Sequence, residues 1–201
     1  MPRCHAPFAA LLLLALTTGC ASTPATRFYT LHQPGMAPQP AGDGLRVAVE
    51  EFQVDPPYDR EQLVYRVGED APEVGFYAYH RWATPLSQML PLHAAQQLAT
   101  VPGIRSLSPA AEGTPYDVRL SGRLRMLEEV DSPAGQQVRV SLELHLRDPQ
   151  GELLWSTAVS AKSSGQADNV GQVVEHMRLA LDEALARAGR DLGQALATRS
   201  P

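Results

Sequence analysis

Several residue types are scarce in this chain, and each scarcity argues against a class of function. The 201 residues include 17 basic and 22 acidic side chains, Lys162 is the single lysine, and the net charge is -5. A nucleic-acid binder needs the opposite balance, because much of its affinity comes from neutralising phosphates. The N-terminal apolar run, Phe8 to Leu16, has about nine residues, against the roughly 18 needed to span a bilayer. The sequence therefore predicts neither a nucleic-acid binder nor a permanent membrane span.

Familiar catalytic and metal-binding motifs are missing as well. The chain has no Gly-x-Ser-x-Gly elbow, no His-Glu-x-x-His, no phosphate-binding glycine pattern and no paired-cysteine zinc spacing. Four histidines fall on predicted elements without a partner at ligand spacing: His80, His93, His145 and His176. We therefore predict no enzyme, no metal site and no dissociable cofactor. A triad assembled only in space is the alternative, because such sites are defined by geometry.

The first 20 residues have the layout of a signal peptide, with Arg3 before the apolar run and small residues after it. The stretch Leu16-Thr17-Thr18-Gly19-Cys20 resembles the lipobox of bacterial lipoproteins, with Thr17 where that family usually has Leu. The resemblance implies cleavage before Cys20, a diacylglycerol on its thiol and an acylated amino terminus. A plain secretory signal and an N-terminal transmembrane anchor are the alternatives.

Cysteine is scarce, and its placement narrows the chemistry further. Cys4 would leave with the signal peptide, and Cys20 would carry the covalent lipid. We therefore predict no disulfide and no thiolate metal site. Ala21 follows the cysteine, and in lipoproteins the absence of Asp there is associated with export to the outer membrane. The predicted location is the periplasmic face of the outer membrane.

Composition divides the chain into three regions. Residues 1–19 are the predicted signal peptide, and residues 20–44, rich in Ser, Thr, Pro, Ala and Gly, are a lipidated flexible tether. Residues 45–201 are the predicted periplasmic domain, long enough for one sizeable core. Within the tether, Arg27 to Leu31 is an apolar island that we interpret as a short strand docking on the domain.

Hydrophobic periodicity predicts the elements of the domain. Strands are expected over residues 45–54, 62–67, 74–81, 104–107, 116–126, 138–146 and 153–161. A helix capped by Thr84, with Pro85 at its first position, should run to about Thr100, and Pro91 should kink it or mark its true start. A longer amphipathic helix should run from about Asn169 to Ala197.

These elements predict a single two-layer α+β domain. Residues 62–67 and 74–81 form a hairpin, and the last three strands form an antiparallel meander with one wet face. The predicted sheet is largely antiparallel and is covered on one face by the two helices. Along the second helix Glu183 and Arg187 are four residues apart and can pair.

The wet face of the meander carries five arginines: Arg119, Arg123, Arg125, Arg139 and Arg147. Together they are a candidate surface for anionic groups or for a partner protein. A solvated sheet face with Glu143 among the arginines is the interpretation that we favour.

Two further stretches, Pro57 to Arg66 and His80 to Leu86, are similar to the hallmark segment of the PqiC-like family of ABC-type transport auxiliary lipoproteins. Residues 28–31 and the helix after Asp168 resemble the opening and closing segments of that family. The resemblance offers no catalytic residues. The family motif contributes five side chains, for which we expect structural roles: Tyr58, Arg60, Arg66, Trp82 and Pro85.

The resemblance implies an outer-membrane lipoprotein that works with an MCE-domain protein and an inner-membrane transporter complex to move lipid. It also makes a homo-oligomer a candidate assembly, because the protein that gives the family its name is associated with ring-like oligomers. We accordingly predict a non-enzymatic auxiliary component that docks on or caps a periplasmic conduit. The alternatives are a general envelope-maintenance or assembly lipoprotein with a different partner and, third, a membrane-anchored hydrolase.

Overall fold

A computed structural model describes residues 23–31, 43–133 and 135–198. The strands are β1 (Arg27–Tyr29), β2 (Leu45–Val49), β3 (Gln53–Val54), β4 (Gln62–Val67), β5 (Gly75–Trp82), β6 (Ile104–Pro109), β7 (Val118–Ser132), β8 (Gly135–Arg147) and β9 (Leu153–Ser164). The helices are α1 (Leu86–Leu98) and α2 (Val170–Ala197). The predicted signal peptide, Cys20 and much of the predicted tether lie outside the described residues.

Strand β7 organises the sheet, because it has partners along both edges. On one edge β8 runs antiparallel to it over its full length, and β9 pairs with β8 beyond. On the other edge β2, β3 and β4 pair with successive parts of β7, all in parallel. β6 then extends β2, whereas β5 and β1 extend β4. In the described part of the chain the result is one mixed sheet of nine strands that forks beside β7.

The predicted fold class, a single α+β domain with two helices on a sheet, is confirmed. The β4–β5 hairpin and the β7–β8–β9 meander have the predicted antiparallel pairing. The interpretation of residues 27–31 as a docking strand is also confirmed, because β1 pairs in parallel with the end of β5. The parallel pairings along β7 join strands that are far apart in the sequence, so local patterns did not predict them.

Helix α2 covers the core face of the meander, as its apolar stripe predicted. Asn169 caps its first turn by accepting a hydrogen bond from the Gln172 backbone N–H at 3.2 Å. The buried stripe packs on the apolar side of β7, β8 and β9. It consists of Val173, Val174, Met177, Ala180, Leu181, Ala184, Leu185, Ala188, Gly189 and Leu192. Glu183 and Arg187 form the predicted ion pair on the outer side of this helix.

Helix α1 corrects one sequence expectation and decides between the two alternatives of another. Thr84 is not its cap, because the helix begins at Leu86 and Pro85 occupies the N-cap position with an extended backbone and no side-chain cap. Pro91 lies inside the helix and does not mark its start. A proline has no N–H to bond the carbonyl four residues back. That carbonyl, on Ser87, accepts the backbone N–H of Phe52 at 3.1 Å instead.

A register shift between Leu124 and Met126 interrupts the period-two pattern of β7. Before the shift Val118, Leu120 and Leu124 are buried in alternation, as predicted. After it the four residues 127–130 are all buried, and the two in the middle are carboxylates. The irregularity thus ends the simple division of β7 into an apolar and a wet face.

Candidate functional site

Glu128 and Glu129 are adjacent in β7, and their exposed fractions are only 0% and 3%. Successive residues of a strand point to opposite faces, so the two carboxylates lie in different environments. An ionised carboxylate removed from water costs several kcal/mol unless it is paired and hydrogen-bonded. Each of the two therefore needs its own partners.

Glu128 is held by one phenol and two guanidinium groups. The Tyr58 hydroxyl donates to Oε2 at 2.9 Å, and Arg139 Nη2 donates to Oε1 at 2.7 Å. Arg66 contacts both oxygens, from Nη2 to Oε2 at 3.1 Å and from Nε to Oε1 at 3.2 Å. This two-point contact has the bidentate geometry typical of strong arginine–carboxylate pairs.

The protonation of this cluster follows from its contacts. Burial alone would raise the pKa of Glu128, but the hydrogen bonds from Arg66, Tyr58 and Arg139 outweigh it, so that pKa lies below its ordinary value. Burial, together with the bond to Glu128, raises the pKa of Tyr58 to about 12. The cluster is therefore a carboxylate between two cations and a neutral phenol at neutral pH.

Three separate elements bring these groups together. Tyr58 comes from the segment between β3 and β4, Arg66 from β4, and Arg139 from β8, directly opposite Glu128 in the register. Two of the predicted motif residues, Tyr58 and Arg66, thus meet on a residue outside the motif. Sequence reasoning missed Glu128. The one signal in the sequence was that two adjacent glutamates follow a stretch in which apolar and polar residues alternate.

The other three motif residues lie elsewhere. The Arg60 guanidinium lies 3.7 Å from the centre of the Phe76 ring, and its Nε donates to the Pro57 carbonyl at 2.9 Å. Trp82 ends β5 and is 4% exposed, and Pro85 is the N-cap residue of α1. The five motif residues therefore lie at several separate positions in the fold and do not line one pocket.

Glu129 has a different set of neighbours. It accepts a hydrogen bond from the Tyr77 hydroxyl at 2.5 Å, and the Tyr77 ring lies 5.1 Å from Tyr65 and 5.6 Å from His80. His80 Nδ1 is in turn 2.7 Å from the Tyr29 hydroxyl. Burial raises the pKa of Glu129, because the single phenol bond does not offset the loss of water.

The five predicted arginines do share one face of the sheet, but four of them form ion pairs with carboxylates of the same domain. Arg123 and Arg125 both bind Asp55, at 2.6 and 2.9 Å, and Arg125 also binds Glu143 at 2.9 Å. These bonds hold the pKa of Asp55 below its ordinary value.

The remaining three arginines of this face have partners too. Arg119 binds Glu50 at 3.3 Å, and Arg139 binds Glu128. Arg147 donates to the backbone carbonyl of Gly151 at 3.0 Å. The geometry is that of a self-paired polar face, in which Arg147 alone among the five has no carboxylate contact in the described part of the chain.

The histidines do not converge. His93 is buried, at 3% exposure, and its Nε2 lies 2.9 Å from Asp182 Oδ1. His80 contacts tyrosines, as described above. Over residues 23–31, 43–133 and 135–198 no group of three His, Cys, Asp or Glu residues is placed to hold a metal ion.

An apolar groove of about 670 Å³ lies between the last turns of α2 and one end of the sheet, where β2, β7, β8 and β9 begin or end. Its walls include Leu45, Val118, Leu146, Trp155 and Leu196. Asp43 is the one charged residue among the lining residues. The groove offers apolar contact and no convergent set of polar groups. Neither of the described helices is long and apolar enough to cross a bilayer.

The fold and these contacts define a class of protein: an α+β domain whose buried charges hold its strands together. Comparison with protein families then identifies it. The family described as ABC-type transport auxiliary lipoprotein component matches residues 29–189. The chain belongs to this family, which confirms the resemblance inferred from its motifs and supports an auxiliary lipoprotein role in transport.

Solved structures show the same fold. Protein XCC0632 from Xanthomonas campestris is 16% identical, with a TM-score of 0.58, and the alignment covers 87% of this chain and 95% of that one. The hypothetical protein CT253 from Chlamydia trachomatis is 9% identical, with a TM-score of 0.53, over 78% of this chain and 100% of that one. A search of curated protein sequences found no significant match.

Proposed function

We propose that this protein is a non-enzymatic outer-membrane lipoprotein that docks on or caps the periplasmic conduit of an MCE- and ABC-type lipid transport system. The family match over residues 29–189 is the observation that carries the proposal. Cys20 carries the lipid anchor in this proposal, because it ends a lipobox-like segment.

The contacts of the buried charges support a scaffold role. Glu128 is 0% exposed, and its two oxygens accept four hydrogen bonds from Tyr58, Arg66 and Arg139. A general acid or base must reach substrate and change its protonation state. A carboxylate buried between two cations, with a lowered pKa, is suited to neither task.

The partner, in this proposal, meets the arginine face of the meander. Helix α2 packs on the opposite side of β7, β8 and β9, and the side chains of Arg119, Arg123 and Arg125 remain 36%, 42% and 43% exposed on this face. Arg147 is exposed and donates to a backbone carbonyl, with no carboxylate contact among the described residues, and Lys162 is exposed on β9 opposite Arg139. These two cations favour an acidic strip on the partner.

Site-specific photo-crosslinking in cells tests the proposal. Ser156 is exposed on β9, opposite His145 on the arginine face, and can carry the crosslinker. Arg190, exposed on α2, is the matched control. We expect the label at position 156 to capture an MCE-domain protein and the label at position 190 to capture much less. Reproducible capture of a different envelope complex would favour the envelope-maintenance alternative.

The anchor has its own test. Mass spectrometry of the purified protein should find Cys20 as an acylated N-terminal residue. Cys20→Ser should release a folded domain that no longer supports lipid transport. Full transport by that variant would contradict the proposed role of the anchor.

A further inference from the structure

The far edge of the sheet, formed by β1 and β5, exposes three aromatic side chains. Phe28 is 64% exposed, Tyr79 is 37% exposed and Phe76 is 36% exposed. We refer to these three residues as the aromatic edge. Single exposed apolar residues are ordinary, but a group of exposed rings on adjoining strands indicates an interaction surface.

Strand pairing and ring contacts place members of this group on one face. Phe28 pairs with Arg81, and Arg81 pairs with Gln62 on β4. Val64, two residues after Gln62, pairs with Phe76. A register shift falls between these two pairs, so the face is fixed by the side chains themselves. The rings of Tyr77 and His80 meet at 5.6 Å on one face of β5, and their neighbours Phe76 and Arg81 therefore point to the other face, which Phe28 shares with Arg81.

Two arginines lie beside the rings of the aromatic edge. Arg81 binds Glu61 at 3.0 Å, and the Arg60 guanidinium lies over the Phe76 ring at 3.7 Å. An arginine stacked on a ring combines an apolar methylene stem with a charged guanidinium group. This arrangement suits a membrane–water interface.

The position of β1 in the chain limits how far this edge can be from Cys20. Arg27 begins β1, seven residues after Cys20. A chain of that length spans at most about 25 Å when fully extended, at ~3.3–3.6 Å per residue. A lipid on Cys20 therefore keeps the aromatic edge close to the membrane, whereas a free tether over residues 20–44 would have allowed a much greater distance.

We infer that the aromatic edge rests in the interfacial layer of the phospholipid bilayer that holds the Cys20 lipid. The inference rests on the acylation of Cys20 in the proposed function. Aromatic side chains favour the headgroup region, where apolar rings and water are both within reach. Because Arg81 is already paired with Glu61, the proposed contact is made by the rings.

Depth-dependent fluorescence quenching tests this inference on the acylated protein. Phe28→Trp places a reporter on the aromatic edge, and Leu179→Trp places one on α2, where Leu179 is 44% exposed. Each variant is reconstituted in phosphatidylcholine vesicles with and without brominated acyl chains, and the unmodified protein gives the signal of Trp82 and Trp155. We expect quenching of the Phe28→Trp reporter to be at least twofold stronger than that of the Leu179→Trp reporter.

Tyr79→Trp is a second reporter, and circular dichroism checks that each variant is folded. Equal quenching at the edge and at α2, with Cys20 acylated by mass spectrometry, would overturn the inference and leave the proposed function standing. Crosslinking of the edge to a protein in place of lipid would overturn it too. A protein without acyl chains on Cys20 would contradict the proposed anchor and, with it, this orientation.

Discussion

At the scale of single residues, the pKa values of two adjacent glutamates in β7 are shifted in opposite directions. Glu128 is stabilised as a carboxylate by two arginines and a phenol, and its pKa is lowered. Glu129 accepts a hydrogen bond from the Tyr77 phenol, but burial dominates and raises its pKa. The two positions should therefore respond to the same substitution and the same pH change with opposite signs.

Glu128→Gln should destabilise the domain by about 3–5 kcal/mol at pH 7, because it leaves Arg66 and Arg139 without their shared counter-ion. A carboxylate with a lowered folded-state pKa stabilises the fold above its ordinary pKa and loses that effect as the pH falls through the folded value. Urea denaturation at pH 7 and at about pH 3 should show the difference shrinking in acid. A difference of equal size at both pH values would contradict the assignment.

Glu129→Gln should be neutral or stabilising at pH 7. The amide oxygen can still accept the Tyr77 hydroxyl, and the cost of a buried charge is removed. Because the folded-state pKa of Glu129 is raised, its favourable contribution exists below the ordinary pKa and is lost as the pH rises through the folded value. The difference in unfolding free energy between the variant and the parent should therefore shrink at about pH 4, as measured by urea denaturation. A variant that is clearly less stable than the parent at pH 7 would be evidence against a raised pKa.

At the scale of helices and strands, Phe52 connects helix α1 to strand β7. Its backbone N–H binds the Ser87 carbonyl that Pro91 leaves free in α1. Its ring lies over Gly122 of β7, where an added Cβ would come within 2.4 Å of the Phe52 ring. Gly122 is therefore needed for its missing side chain, which leaves room for this ring.

Gly122→Ala should destabilise the domain by roughly 1–3 kcal/mol, because the new methyl group must displace the Phe52 ring or the strand. Phe52→Leu shortens the side chain and keeps the backbone N–H. In the double variant the cost of the added methyl group should fall, so the two free-energy changes will not add. Chemical denaturation of the four proteins measures this, and simple additivity would show that the two residues are not in contact.

The domain as a whole includes β1, which lies within residues 20–44. Leu31 follows β1 and is 1% exposed in the main core, whereas Phe28 is 64% exposed. The sheet therefore ends at β1, and the strand closest to the proposed anchor is part of the folded body. This gives the molecule a defined orientation relative to the membrane under the proposed function.

Leu31→Ala should cost about 2–5 kcal/mol of stability, as expected for a fully buried leucine. Phe28→Ala is the matched control and should change the stability of the free protein by less than about 0.5 kcal/mol, because its side chain is exposed. Thermal or urea denaturation compares the two. A Leu31→Ala variant as stable as the parent would mean that the folded domain starts at residue 45.

Local patterns predicted much of this fold. Period two identified the meander and the hairpin, and the spacing of apolar residues together with Asn169 located α2. The order of short motifs predicted the family, and the family match over residues 29–189 confirmed it. These features could be read from the chain because each depends on residues only a few positions apart.

The tertiary structure decided the rest. Tyr58 and Glu128 are 70 positions apart, and Arg123 finds Asp55 across 68. Contacts of the same long-range kind are the parallel partners of β7, the hydrogen bond from the Phe52 N–H to the Ser87 carbonyl and the self-pairing of the arginine face. The sequence by itself determined the elements, because periodicity and capping are local. Only the folded sheet determined which distant side chains meet, because strand order and register are set by the packing of the whole chain.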